Sequence, residues 1–277
     1  MQVILSAIWA ASLCITVATA TPRFDVTPDP TPPEWQERGA GETYVLYRTH
    51  NVRAMSQGKA GSCVGAAHSK ALELQHGIPF SAEWSYGTSR KHFDHNSPSP
   101  GSNCAWAAQA GKDVGNLPAY YYISQGVDLT EYSAQRAKQW ERGPPVELEW
   151  VAGQYRGSGF VHISSWEELR GAIASGHPVI VGSPVGFGSK RGQVLDSRGR
   201  LSSKWWSRWP HAMVFCGVSD GNSKQALLLN SWGLSWVSGP RWVGDEPAGS
   251  FWVSKRDAEK MLSYGDAWAI LPIQGLK

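Results

Sequence analysis

A thiol, an imidazole and an amide occur in this chain in an order that favours nucleophilic catalysis. Cys63 follows a glycine-containing run, His211 precedes an apolar run, and Asn230 opens the block Asn-Ser-Trp-Gly. In one group of cysteine hydrolases a single Cys is followed by His and Asn roughly 130–150 residues later. His211 lies inside this window and Asn230 slightly beyond it. The three residues are therefore candidates for the nucleophile, the base and the group that orients the base.

Cys63 is predicted to begin a helix. Apolar residues recur at helical spacing from Val64 to Leu74, and Gly77 is expected to end the helix. The N–H groups and the macrodipole at a helix N-terminus favour negative charge. A thiolate would therefore be stabilised here, and a neighbouring imidazole could take the proton and leave an ion pair. The alternative is that Cys63 is only a small buried apolar residue.

Eight His residues compete for the role of base. His211 alone precedes an apolar strand that a short turn joins to a second strand ending at Asn230. Neighbouring antiparallel strands would place these two residues side by side, so that the amide fixes the imidazole tautomer. The other seven are expected elsewhere. His92 and His95 lie in a predicted solvated loop, and His68 and His76 lie on the Cys63 helix. His162 and His177 flank a short helix, and His50 has no partner pattern around it.

The blocks around these residues resemble the papain-like (C1) cysteine peptidase family. The matching runs are Gln57-Gly58-Lys59-Ala60-Gly61-Ser62-Cys63, Pro210-His211-Ala212 and Asn230-Ser231-Trp232-Gly233. The resemblance implies that Gln57 and the Cys63 N–H form an oxyanion hole and that Trp232 shields the His211–Asn230 hydrogen bond. The expected substrate-binding residues are Gly61, Ser62, Ser102, Asn103, Ala212 and Trp232.

The order of predicted elements indicates an α+β fold. Helices are expected first, at Cys63 and after a cap at Asn103, and a capping box at Ser165 opens a later one. The predicted strands lie in the second half of the chain, at 179–181, 212–218, 226–230, 251–253 and 268–273. A short helix through Leu262 is expected after Ser254. This segregation suggests two lobes.

The resemblance implies a papain-like two-lobe fold. A helical N-terminal lobe would span about 51–145, and an antiparallel β-barrel-like lobe about 146–277. The active-site cleft would lie between them. No cofactor and no metal are expected, because the cysteines are too widely spaced to act as paired ligands.

The N-terminus is predicted to direct export. Residues 1–20 are largely apolar and uncharged and end in Ala18-Thr19-Ala20, a pattern typical of a signal peptide. Secreted or extracytoplasmic localisation follows, with no stable membrane span after cleavage. A lipid-embedded anchor is the alternative, but the length makes it marginal because a span needs about 20 apolar residues. Residues 21–43 would form a Pro-rich leader and 44–277 the catalytic domain.

Composition limits the expected partners. The 277 residues carry a net charge of +3 with scattered Lys and Arg, which argues against nucleic acid. We expect a monomer that binds a peptide or protein substrate. Three cysteines would remain after signal cleavage, Cys63, Cys104 and Cys216, and an odd number fits an unpaired nucleophile.

Several positions depart from the family pattern. Ala60 replaces a disulfide-forming Cys, Val64 replaces the Trp after the nucleophile, and Ser102-Asn103 replaces a glycine pair. Trp236–Gly249 is interpreted as an insertion. The predicted function is a cysteine-type endopeptidase that forms a thioester acyl-enzyme. A papain-fold binding protein without protease activity, and an amidase or acyl-transferase acting on cell-wall peptides, are the alternatives.

Overall fold

The structure is a computed structural model that describes residues 24–46, 52, 54–94, 97–188, 193–195, 201–203, 205–237 and 246–276. The predicted signal peptide, His50, His95 and the centre of the Trp236–Gly249 insertion lie outside these residues.

Seven α-helices occur in the described part of the chain. They are α1 (Cys63–His76), α2 (Ala82–His92), α3 (Cys104–Asp113), α4 (Ala134–Gln139), α5 (Glu149–Ala152), α6 (Trp166–Ala174) and α7 (Lys255–Leu262). None of them, within the described ranges, is long and apolar enough to cross a membrane. The predicted helices at α1, α3, α6 and α7 are confirmed. Gly77 ends α1 in the left-handed region (φ 69°), and Ser165 with Glu168 forms the predicted capping box of α6.

The sequence pattern does not predict α2. Residues 82–90 are all buried, and polar Glu83, Ser85, Ser89 and Arg90 are mixed with Trp84, so the helix lacks a one-sided apolar stripe. His92 is the last residue of α2, which corrects its predicted place in a solvated loop.

Nine of the eleven described strands form one sheet. The strands are β1 (Thr43–Val45), β2 (Tyr121–Tyr122), β3 (Val127–Asp128), β4 (Phe160–His162), β5 (Val179–Phe187), β6 (Gln193–Leu195), β7 (Leu201–Ser203), β8 (Trp205–Ser219), β9 (Gln225–Leu229), β10 (Ser250–Ser254) and β11 (Asp266–Ile270). The sheet order is β4-β11-β5-β8-β9-β10-β7-β6, with β1 also paired to β8. Among the described strands, only β10 and β7 pair in parallel. No pairing among these strands joins β4 to β6, so the described strands alone form an open sheet.

Strands β5 and β8 are longer than predicted. Their pairing continues past Ser183 and His211 to Phe187 and Trp205, through two register shifts. Gly186 permits this extension, because an added Cβ would lie 2.8 Å from the Trp209 ring. Strand β11 ends at Ile270, three residues earlier than expected.

The sheet separates two buried clusters. Along β8, Met213 and Phe215 belong to the cluster shared with α6 and α7, whereas Ala212 and Val214 belong to the cluster shared with α1 and α3. This alternation is the two-residue period of a strand that is covered on both faces. As a result α1 lies directly against β8 and places its first residue, Cys63, beside the β lobe.

We predict acid-dependent stability from His68. Its Nδ1 lies 3.2 Å from Ser85 Oγ, and burial lowers the His68 pKa from 6.5 to about 4. Between these values the unfolded chain binds the proton and the folded chain does not. The free energy of unfolding should therefore fall as pH decreases from about 6.5 to about 4, by on the order of 3 kcal/mol from this residue. Urea unfolding at a series of pH values measures it.

The matched variant for this prediction is His68→Gln, which keeps hydrogen-bonding capacity but does not titrate. Its stability should depend less steeply on pH than that of the unsubstituted chain over this interval. Equal slopes for the two proteins would contradict the assignment.

Candidate active site

Cys63 is the first residue of α1 and is partly exposed. Burial of the thiol raises its pKa, while the backbone N–H groups of Ala212, Val64 and Cys63 itself oppose the shift. Two of these donors belong to the start of the helix and one to β8. The sulfur therefore lies where the helical lobe and the β lobe meet, within reach of N–H donors from both.

His211 lies in β8 and Asn230 directly follows β9. The distance from His211 Nε2 to Asn230 Oδ1 is 2.7 Å, and both side chains are buried. The Trp232 ring stacks on the imidazole, with centroids 4.5 Å apart and an angle of 26°. Burial lowers the His211 pKa to about 4, and the hydrogen bond to Asn230 opposes this shift. Burial thus disfavours the expected thiolate–imidazolium pair, whereas the backbone donors and Asn230 favour it.

Gln57 is held by hydrogen bonds to the segment that precedes Cys63 and to the Asn-Ser-Trp-Gly block. Its backbone N–H donates to Ser231 O (2.8 Å), and the Ser231 hydroxyl donates to Gln57 Oε1 (2.5 Å). Gln57 Nε2 donates to Ala60 O at 2.9 Å. Since Nε2 carries two hydrogens, one remains for a group in the cleft.

A cleft of about 720 Å³ connects these groups. It brings together seven of the residues expected at the site: Gln57, Gly61, Cys63, Ser102, Asn103, His211 and Trp232. Asn230 does not line the cleft but is hydrogen-bonded to the His211 imidazole. The Ser62 and Ala212 side chains are buried, so a substrate contact at these positions would have to involve the backbone.

Tyr132 is a residue that sequence reasoning missed. Its hydroxyl donates to Gln57 O at 3.1 Å and lies 2.7 Å from Ser62 Oγ. Tyr132 thereby links Gln57 and Ser62, the two ends of the segment that precedes Cys63. No local pattern marks it, because the contact joins segments about seventy residues apart.

Helix α2 holds one wall of the cleft. The buried Arg90 guanidinium donates to the backbone oxygens of Ser97, Ser99 and Gly101, and its Nη1 lies 2.9 Å from an Asp94 carboxylate oxygen. The Gly101 N–H in turn donates to the Tyr86 hydroxyl. This network braces the loop that carries Gly101 and Ser102. The three described cysteines are all free.

Asp266 lines the same cleft and caps α3. Its carboxylate accepts the N–H groups of Cys104 and Ala105, each at 2.9 Å, and that of the Trp268 indole at 2.8 Å. Burial raises the pKa of this carboxyl, and these hydrogen bonds oppose the shift. The side chain of Asn103 makes no capping bond, which corrects its predicted role as the cap of α3.

Within the described ranges, no three His, Cys, Asp or Glu side chains are grouped so that they could hold a metal ion.

The fold is similar to solved cysteine proteases. Xylellain, a cysteine protease from Xylella fastidiosa, matches with a TM-score of 0.60 and 17% identity over 91% of this chain and 92% of that one. Digestive procathepsin L 3 of Tenebrio molitor matches with a TM-score of 0.56 and 17% identity over 91% and 76%. The Carica candamarcensis cysteine protease CMS1MS2, solved in complex with E-64, gives 0.50 and 16% over 84% and 99%.

No family model matches the sequence, and no curated protein matches it significantly. The structural likeness shows that the chain has the papain-like fold. The predicted α+β class with a helical lobe and a sheet lobe is confirmed.

We predict that Arg90→Lys loosens the cleft wall. A single ammonium group cannot reproduce the planar contacts to three carbonyl oxygens. Hydrogen bonds to charged groups are worth about 1.5–3 kcal/mol, so amide exchange at Ser97 and Gly101 should accelerate at least about ten-fold. Hydrogen-exchange mass spectrometry of peptides from 94–103 measures this.

Arg136→Lys is the matched control: Arg136 also contacts α2, through Glu83, but its backbone acceptors are Asp128 and Glu131 and not the loop 97–101. It should leave exchange in 97–101 unchanged. Unchanged exchange in this loop for Arg90→Lys would rule out the bracing role.

Proposed function

We propose that the chain is a cysteine-type peptidase that hydrolyses peptide bonds. The observation that carries the proposal is one cleft in which Cys63 begins α1 beside β8 and His211, whose imidazole is bonded to Asn230. The similarity to solved cysteine proteases concerns the fold alone, so the peptidase activity is inferred from the fold together with this arrangement of side chains.

The proposed reaction has two stages. The Cys63 sulfur gives its proton to His211 and attacks the peptide carbonyl carbon. The C–N bond then breaks as His211 returns the proton to the amine, which leaves a thioester on Cys63. Water loses a proton to His211 and attacks the thioester, releasing the acid and restoring the thiol. Asn230 holds the imidazole in the orientation that both proton transfers need.

Gln57 and the backbone N–H of Cys63 are the proposed oxyanion donors. Gln57 and Cys63 line the same cleft, and the hydrogen bonds to Ala60 and Ser231 fix the Gln57 amide before substrate arrives. Preorganised donors of this kind stabilise charge as it develops on the carbonyl oxygen.

Binding without hydrolysis is the second candidate function. The observation that favours it is the burial of both groups, since burial stabilises the neutral thiol and the neutral imidazole. Secretion, predicted from residues 1–20, a monomeric state and a peptide or protein substrate remain parts of the proposal.

We predict that a peptide epoxide such as E-64 labels Cys63 alone. Cys104 and Cys216 are fully buried and their thiol pKa values are raised by burial, whereas Cys63 lines the cleft. Cys63→Ala should abolish labelling and reduce hydrolysis of a mixed peptide substrate at least about 100-fold, while Cys216→Ala should change neither. Peptide mass mapping and a fluorogenic assay provide the measurements.

Three experimental outcomes would each contradict a different part of this prediction. Hydrolysis that survives Cys63→Ala would refute the proposed nucleophile, and equal labelling of all three cysteines would refute its activation. Labelling of Cys63 without turnover of any peptide would select the binding candidate.

We further predict that Gln57→Glu lowers kcat with little change in KM. The substitution keeps the side-chain shape but removes the N–H donor, and losing one oxyanion donor costs about 2.7–4 kcal/mol, or roughly 10²–10³ in rate. Steady-state kinetics beside a thermal melt measure it. A change confined to KM, or a loss of rate explained by a lowered Tm, would argue against the assignment.

A further inference from the structure

Residues 24–46, here called the N-terminal strap, are built into the fold. The Asp29 N–H donates to Phe160 O at 2.8 Å, and the Phe160 N–H donates back to Asp29 Oδ2 at 3.0 Å. Gly159 lies so close that an added Cβ would be 1.9 Å from that oxygen. Two residues earlier, the Thr27 N–H donates to Gln109 Oε1 at 2.9 Å. The strap is therefore fastened both to β4 and to α3.

A second set of contacts fastens the strap to the core behind the sheet. Trp35 is 2% exposed and packs on Gly171 of α6, where an added Cβ would lie 2.2 Å from the Trp35 carbonyl oxygen. The buried Arg170 guanidinium donates to the backbone oxygens of Gln36 and Arg38.

The buried charges of this region depend on the strap. Arg170 Nη1 lies 3.1 Å from Asp220 Oδ2, and the Gly41 N–H donates to the same carboxylate at 3.1 Å. Strand β1 completes the attachment by pairing with β8. Loss of the strap would expose Trp35 and leave Arg170 without two acceptors, and a buried charge that loses its partners is strongly destabilising.

The start of the strap reaches the cleft. The Phe24 ring meets Trp106 and Trp268 edge to face, with centroids 6.2 Å apart in both pairs. Phe24 and the half-buried Trp106 line the cleft that contains Cys63. Their rings stand at 83° to each other and form an aromatic corner, a surface that suits a third ring or another bulky apolar side chain.

We propose that the strap is a permanent part of the working protein and that Phe24, with Trp106, forms a subsite selecting an aromatic or bulky apolar side chain of the peptide. This inference rests on the proposed function for its substrate class. It differs from a removable leader, because the same segment that lines the cleft also completes the core.

The experiment uses the full chain and peptides in which each position beside the cleaved bond is varied among Phe, Leu, Ala and Arg. Phe24→Ala should reduce the preference for Phe over Ala at one position by about two- to ten-fold in kcat/KM. Val26→Ala is the matched control: this strap residue packs in the core but does not line the cleft. It should leave the preference unchanged. Mass spectrometry of the E-64-labelled species should show Phe24 retained.

The same peptides are then tested for binding to Cys63→Ser and to Cys63→Ser combined with Phe24→Ala. If no peptide is hydrolysed but the Phe preference in affinity still depends on Phe24, the proposed function fails and the subsite stands. An unchanged Phe preference in Phe24→Ala would overturn the subsite. A labelled species that begins after residue 46 would also overturn the proposal. The same holds for a preference for Arg that is unchanged in Phe24→Ala, and for a Cys63→Ser protein that binds none of the peptides.

Discussion

The contact of the α1 N-terminus with β8 is the constraint on which the site depends. Cys63 begins the helix, and the Ala212 N–H that acts on its sulfur follows His211 directly in the strand. Two residues that lie far apart in sequence are therefore fixed by one packing surface. That surface is apolar: Val64 and Ala67 on α1 share a buried cluster with Ala212. The apolar core and the groups at the site thus belong to one interface between α1 and β8. A change in the packing of this core would therefore shift Cys63 relative to His211.

Local signals in the sequence are sufficient to predict several helices, including the one that begins at Cys63. The capping box at Ser165 and the glycine after α1 act within a few residues, so their helices could be predicted. The spacing of Cys63, His211 and Asn230 was informative because the motif around each residue is specific. Helix α2, the Asp266 cap of α3 and the contacts of Tyr132 could not be predicted, because each depends on partners distant in sequence. The contacts of the strap could not be predicted for the same reason: proline content indicates an extended backbone, not what Trp35 packs against.

A buried guanidinium holds the loop that carries Gly101 and Ser102. Arg90 offers five N–H donors in a fixed plane: Nη1 and Nη2 donate to carbonyl oxygens of the loop, and Nε donates to Glu141 O. The arrangement requires that the charge be compensated inside the protein, and Asp94 supplies the carboxylate. The cost is that polar residues must occupy the buried face of α2. The feature that hid this helix from sequence analysis is therefore the feature that shapes the cleft wall.

The electrostatics of the site follow from burial. The pKa of Cys63 is raised and that of His211 is lowered by loss of water, so a charged pair forms only if fixed dipoles replace the solvent. The available dipoles are the backbone N–H groups near the sulfur and the Asn230 amide, and they act well only when they cannot turn away. Their positions are set by α1, β8 and the hydrogen bonds between Gln57 and Ser231. The proposed chemistry therefore requires these elements to be rigid, which fits the convergence of Tyr132, distant in sequence, on the residues beside Cys63.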